Sequence, residues 1–153
     1  MPPGLLSSAP TAPPARSARP AIEHGAIYGA TGNGKLATAS RADLAAASVG
    51  ALLNSPGGRT YELAGNHPWT MQQFADEVSR QAGKPVQYVN QSESDYARTL
   101  EGAGLPPPVA SMLASTSYLA GEGELYSEST DLSDLAGRPS TPISETIAAA
   151  LKS

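Results

Sequence analysis

The chain has 153 residues, a formal net charge of −4 and no cysteine, and 16% of its residues are charged. An acidic balance without a basic block argues against nucleic-acid and anionic-membrane binding. The lack of cysteine excludes disulfides and thiolate chemistry, and it fits the reducing cytoplasm. No apolar run approaches the roughly 20 residues that a membrane-spanning helix needs. We therefore expect a cytoplasmic protein with no membrane span and no nucleic-acid partner.

Residues 1–22 differ in composition from the rest of the chain. Six of the first 20 residues are proline, and no acidic residue precedes Glu23. Such a segment buries too little apolar surface to fold, so we predict a disordered Pro/Ala/Ser-rich leader over 1–22 and a folded region over 23–153. An organellar transit peptide is the alternative, because it is also rich in Arg and Ser. Its amphipathic helix is difficult to build with this many prolines.

The first segment after the leader contains a glycine-rich run, GATGNGK over residues 29–35, that imitates a nucleotide-binding loop. A P-loop needs Ser or Thr after its lysine to ligate Mg²⁺, and this chain has Leu36 there. A dinucleotide-binding turn needs a third glycine for close helix–strand packing, and that position holds Lys35. Both interpretations therefore lack a residue that their chemistry requires.

The same run favours a β-hairpin. Asn33 and Gly34 both tolerate φ > 0, which a type I′ turn requires, and this dipeptide is a strong local hairpin signal. We therefore predict a hairpin that pairs residues 26–30 with residues 35–39.

Periodicity and cap signals predict the remaining elements. In chain order they are a helix capped by Ser40, a strand over 60–64, a helix over 71–82, a strand over 86–89, a helix opening at Ser92, a short helix around Met112 and a C-terminal helix capped by Thr141. The start of helix 71–82 is the best formed, since Thr70 and Gln73 make a capping box and Trp69 and Phe74 a hydrophobic staple. Residues 115–130 lack a clear period and predict a mobile loop.

Several separate segments resemble one family in the correct order. They are Glu23–Gly25, Gly32–Asp43, Tyr61–Thr70 and Leu132–Thr141. The resemblance extends from about Ala21 to Ser153, and it is to the NmrA-like atypical short-chain dehydrogenase/reductases of the NADPH-dependent quinone oxidoreductase type. In that family the phosphate-binding glycine-rich turn belongs to an N-terminal Rossmann domain, which the resemblance does not include.

The resemblance implies an α/β fold. We expect the C-terminal, substrate-side portion of a Rossmann-type reductase, with a β-hairpin, two short strands and about five helices, lacking the N-terminal dinucleotide-binding core. Strand 60–64 would then lose the sheet that it joins in the family, and its exposed edge predicts possible self-association.

The resemblance also implies a function. The chain is expected to be a truncated NAD(P)H-dependent quinone oxidoreductase-like protein, whose substrate-side half positions a quinone against a nicotinamide. The alternative is a catalytically inactive NmrA-like remnant or a regulatory binding module. NADP(H) is the cofactor of the intact family, but we expect no tight binding and no activity from this chain alone. It offers no glycine-rich turn at a helix N-terminus to hold the pyrophosphate.

Candidate site residues follow from the same resemblance, which places residues 35–44 near the cofactor cleft. Lys35, Arg41 and Leu44 are therefore candidate cofactor-binding residues. Alternatively, Lys35 is an exposed hairpin charge, Arg41 a solvated residue at a helix start, and Leu44 a core residue. Tyr118 and Tyr126 either line a quinone pocket or anchor the loop that holds them.

Other polar residues carry weaker signals. Asp43 is interpreted as a capping acid, and Glu122 and Glu124 as solvated acids in a glycine-rich loop. His24 and His67 lack nearby ligands at metal-binding spacing, so no metal site is expected. The serines lack a GxSxG motif, and no catalytic residue is assigned.

Overall fold

Four short strands and seven helices form the described part of the chain, residues 6–8, 14–54 and 57–152, in the computed structural model. They are β1 (Leu6–Ser8), α1 (Pro14–His24), β2 (Ala26–Gly29), α2 (Arg41–Asn54), β3 (Tyr61–Leu63), α3 (Met71–Ala82), β4 (Gln87–Asn90), α4 (Glu93–Gly102), α5 (Pro107–Gly121), α6 (Asp131–Ala136) and α7 (Ile143–Lys152). The α/β class is confirmed, with more helices than the five expected. No helix within these ranges combines the length and apolar character needed to cross a membrane.

The predicted hairpin is wrong. Strand β2 pairs in parallel with β4, with Ala26 opposite Gln87 and Gly29 opposite Asn90. Neither Asn33 nor Gly34 has a positive φ, so the type I′ turn is absent. Gly34 is instead required for packing, because an added Cβ would lie 2.5 Å from the Cα of Gly121 at the end of α5. A non-local contact, not turn geometry, explains this glycine.

A helix includes part of the predicted leader. Residues 14–24 form α1, in which Ala18 and Ala21 are buried against the core. Proline is tolerated at the first helical position, and tertiary burial compensates for the second proline, Pro20, inside the helix. Residues 1–5 and 9–13 of the leader lie outside the described residues. The proposed boundary between a leader and a folded region remains a prediction.

Strand β3 has a partner on one edge. It pairs in parallel with β1, with Leu6 opposite Tyr61 and Ser8 opposite Leu63. A parallel partner satisfies part of the backbone that was expected to be exposed. Self-association through this strand stays a prediction.

The local signals of helix α3 are confirmed. Thr70 accepts a hydrogen bond from the Gln73 backbone N–H, and the Gln73 side chain accepts one from the Thr70 N–H. The rings of Trp69 and Phe74 lie 5.7 Å apart between centroids, and both side chains are buried. Gly83 ends the helix in the left-handed conformation. Local chemistry was sufficient here because each partner lies within a few residues.

The predicted mobile loop over 115–130 is wrong in its first half. Helix α5 continues to Gly121, although Ser115, Thr116 and Ser117 are mediocre helix formers. Ala114 and Ala120 on this helix are fully or almost fully buried. Packing of this small-residue face stabilises the helix, which local propensity alone did not predict.

Two hydrophobic clusters support the fold. The larger cluster joins α1, β2, α3 and α7 around Phe74, Val78 and Ile147. The second cluster joins α2, β3 and α6 around Leu63 and Leu132. The first cluster fixes β2 and therefore the position at which the chain leaves this strand.

Candidate functional site

A cleft of about 370 Å³ lies where strands β2 and β4 end. The two strands are parallel, so the segments that follow them, residues 30–33 and 91–93, emerge at the same edge. The carboxyl end of α5 closes the third side with Tyr118, Gly121 and Glu122. In open α/β sheets, ligands bind outside the carboxyl ends of the strands, and this position makes the cleft the candidate site.

Three successive backbone donors in the loop after β2 are occupied by protein side chains. The N–H of Ala30 donates to Ser117 Oγ at 2.9 Å, and the N–H of Thr31 donates to Tyr88 Oη at 3.0 Å. The N–H of Gly32 donates to the Asn90 side-chain oxygen at 2.8 Å. A phosphate-binding loop needs such amides free to face the anion.

The helix that a phosphate loop requires is also missing from this position, because α2 begins only at Arg41. The structure therefore agrees with the rejection of the P-loop and dinucleotide interpretations. The residues present do not fit the pyrophosphate of a dinucleotide.

Tyr88, on β4, contacts two of the residues that line the cleft. Its hydroxyl lies 2.7 Å from Thr31 Oγ1 and donates to Asn90 Oδ1 at 3.1 Å. The resulting chain of hydrogen bonds ties the loop after β2 to the end of β4. The loop is thereby held in one conformation against the neighbouring strand.

Uncommitted polar groups face the cleft from its rim. The Asn33 side chain and the Tyr118 hydroxyl make no hydrogen bond with other described residues, and Tyr118 is 42% exposed. The exposed carboxylates of Glu93 and Glu122 also line the cleft. Hydrogen-bond donors beside a partly apolar surface suit a small polar ligand.

Among the predicted substrate residues, only Tyr118 lines the cleft. Tyr126 donates a hydrogen bond from its hydroxyl to Glu128 at 2.8 Å, and this bond to a carboxylate raises the pKa of Tyr126. The ammonium of Lys35 lies 5.8 Å from the centroid of the Tyr126 ring. The structure thus brings two predicted residues together, outside the lining of the cleft.

The two predicted cofactor residues on α2 lie elsewhere. Arg41 is exposed at the first position of the helix and makes no hydrogen bond or ion pair with other described residues. Leu44 is half-buried and packs against the second hydrophobic cluster. Neither lines the cleft. The cofactor roles of Lys35, Arg41 and Leu44 stay predictions.

Asp43 has the structural role that the sequence indicated. Its carboxylate is fully buried and accepts hydrogen bonds from Ser40 Oγ at 2.7 Å, the Thr141 N–H at 2.9 Å and the Arg138 guanidinium at 2.7 Å. Burial by itself raises the pKa of this carboxyl, but the hydrogen bonds outweigh it and the pKa is lowered. Asp43 ties α2 to the segment that precedes α7.

The sequence analysis assigned no ligand-binding role to most of the cleft. Thr31, Asn90 and Gln91 line it, and none was proposed as a site residue. Residues directly after two strands would have been found if those strands had been recognised as parallel neighbours. Because the sequence analysis predicted a hairpin for residues 26–39, it did not recognise β2 and β4 as parallel neighbours.

The solved structures that this fold resembles include NmrA-like reductases, and the chain covers about half of each. No protein-family model matches the chain. The triphenylmethane reductase of Citrobacter sp., solved in complex with NADP(H), superposes with a TM-score of 0.81 and 32% identity, covering 88% of this chain and 47% of that one. The predicted resemblance to this class is confirmed.

One curated relative is quinone oxidoreductase 2 of Escherichia coli (strain K12). The chain is 45% identical to it over 133 residues, which are 86% of this chain and 46% of that protein. The NADPH-dependent E. coli enzyme, solved in complex with NADPH, superposes with a TM-score of 0.84 and 43% identity, covering 89% of this chain and 48% of that one. The chain therefore spans about half the length of the relatives that it matches.

Proposed function

We propose that this chain supplies the substrate-binding side of an NADPH-dependent quinone oxidoreductase and holds a quinone in the cleft beyond β2 and β4. The observation that supports the proposal is the position of this cleft, at the carboxyl ends of parallel strands. In open α/β sheets this is where ligands bind. The chain that contains the cleft is 45% identical in sequence to an E. coli quinone oxidoreductase over 133 residues.

The proposed role of the chain is to bind and orient the acceptor. A bound nicotinamide supplies the hydride in this class of reaction. The Tyr118 hydroxyl and the Asn33 amide are uncommitted donors that suit a quinone carbonyl oxygen. Donors aimed at that oxygen stabilise the negative charge that develops on it during reduction.

The cofactor phosphates need other residues. Three successive amides of the loop after β2 are occupied by side chains, so this chain by itself is expected to bind NADPH weakly or not at all. Lys35, Arg41 and Leu44 are proposed only as neighbours of a cofactor that is held elsewhere. A fluorescence titration of the purified chain with NADPH tests this, and a micromolar dissociation constant would contradict it.

A chimera tests the proposed function directly. The part of the E. coli enzyme that this chain does not match is fused ahead of residue 14, and the loss of NADPH absorbance is followed with a quinone as acceptor. We expect NADPH-dependent quinone reduction by the chimera. A folded chimera that binds NADPH but reduces no quinone would refute the proposal and favour a catalytically inactive remnant.

Two tyrosine variants of the chimera compare a hydroxyl that lines the cleft with a hydroxyl outside it. Tyr118→Phe removes a donor at the cleft and is expected to lower kcat/KM about tenfold, less than a fully buried donor because the side chain is partly exposed. Tyr28→Phe makes the same chemical change at an exposed tyrosine outside the cleft lining. Equal effects of the two variants would remove Tyr118 from the proposed site.

A further inference from the structure

We infer that the cleft selects its acceptor by charge, preferring cationic or neutral quinone-type molecules over anionic ones. This inference rests on the proposed function, because it takes the cleft beyond β2 and β4 to be the acceptor site. The position of the cleft defines the site, and the charges on its rim determine only what the site prefers.

The charged side chains that line the cleft have one sign. Glu93 stands at the start of α4 and Glu122 at the end of α5, on two different walls. No Lys, Arg or His belongs to the lining formed by the described residues. The remaining polar lining groups are neutral, so an anionic acceptor meets two carboxylates and no cation.

The end of α5 adds to the negative potential. Glu122 is the C-cap residue of this helix, where the helix dipole places a partial negative charge. At Glu93 the dipole has the opposite sign, since the residue lies in the first turn of α4. Glu122 is therefore the stronger determinant of selectivity.

Two basic side chains of neighbouring segments lie outside the cleft lining. Lys35 stacks its ammonium over the Tyr126 ring. Arg98, on the same helix as Glu93, forms an ion pair with Asp95. Because neither Lys35 nor Arg98 belongs to the cleft lining, a sulfonate or carboxylate finds no cationic partner among the described lining residues.

Binding to the full chain tests the inference without any need for activity. Three 1,4-naphthoquinones serve as probes, one with a quaternary ammonium group, one unsubstituted and one with a sulfonate, and binding is measured by calorimetry at low ionic strength. A unit charge about 7 Å from one carboxylate in water changes affinity about two- to threefold. The ammonium and sulfonate probes differ by two unit charges and meet two carboxylates, so four such factors multiply and we expect the ammonium probe to bind about 16- to 80-fold more tightly than the sulfonate. The difference should vanish near 1 M salt, where the screening length is about 3 Å.

A pair of charge-matched variants assigns the effect to the cleft. Glu122→Gln is expected to reduce the preference for the ammonium probe over the sulfonate probe about four- to ninefold, because it removes one carboxylate from the comparison of two opposite charges. Glu145→Gln removes the same charge from an exposed position on α7 outside the cleft lining, and is expected to leave the preference unchanged.

The outcomes distinguish this inference from the proposed function. Binding of all three probes without the charge order, or equal responses to Glu122→Gln and Glu145→Gln, overturns the charge selectivity alone. Absence of binding by every probe overturns the acceptor site and the inference together.

Discussion

Replacement of Asp43 by asparagine should destabilise the protein strongly, although the site is remote from the cleft lining. One carboxylate oxygen accepts from Arg138 and from Thr141 Oγ1, and the other accepts from Ser40 Oγ and the Thr141 N–H. Asparagine offers only one such oxygen. Whichever way its amide is turned, the NH₂ group faces either the Arg138 guanidinium or the Thr141 N–H, and neither can accept a hydrogen bond.

The expected loss follows from the burial of this network. Removing one partner of a buried charge pair costs about 3–5 kcal/mol when both groups are desolvated. Arg138 is 47% exposed, so solvent screens part of its interaction. We therefore expect Asp43→Asn to lower the free energy of unfolding by about 2–4 kcal/mol at neutral pH.

The effect should depend on pH in a defined direction. Hydrogen bonds to the charged form lower the folded-state pKa of Asp43 below its usual value of 3.8. The unfolded chain therefore binds the proton first as the pH falls. The stability contributed by this carboxylate is fully present above about pH 5 and is lost as the pH falls through the folded-state pKa.

Urea unfolding followed by circular dichroism measures both effects. Asp76→Asn is the matched control, because Asp76 is exposed on α3 and accepts one side-chain hydrogen bond from Gln72. The control should change stability by less than about 0.5 kcal/mol. A similarly small loss for Asp43→Asn, or a gap from wild type that does not narrow below pH 4, would refute the reasoning.

Two further substitutions, one of them with a matched control, test the packing of α2 against α6 and the N-cap of α3. Gly50→Ala places a Cβ 1.9 Å from the Leu135 carbonyl oxygen. It should lower the free energy of unfolding in urea by about 2 kcal/mol, despite the better helix propensity of alanine. Gly102→Ala is the control, because Gly102 faces open space at the end of α4, and it should not destabilise the protein. Thr70→Ala removes the N-cap of α3 and should cost about 1 kcal/mol, seen as a lower thermal midpoint. Equal stability of the two glycine variants, or an unchanged midpoint for Thr70→Ala, would contradict these expectations.

The sequence predicted the elements whose determinants are local. The start of α3 was correct because Thr70, Gln73 and the Trp69–Phe74 contact all lie within six residues of one another. The family resemblance was also a property of the sequence, since its motifs stand in order along the chain. Only one of the five predicted site residues, Tyr118, lines the cleft.

The tertiary structure decided what depends on distant partners. Asn33 and Gly34 favour a hairpin locally, but β2 finds its partner about sixty residues later, and Gly34 is needed for close contact with α5. Helix α5 continues past weak helix formers because its alanine face is buried. The cleft arises only when two parallel strands end side by side. Parallel pairing needs a long connection, and no local sequence signal specifies which strands will meet.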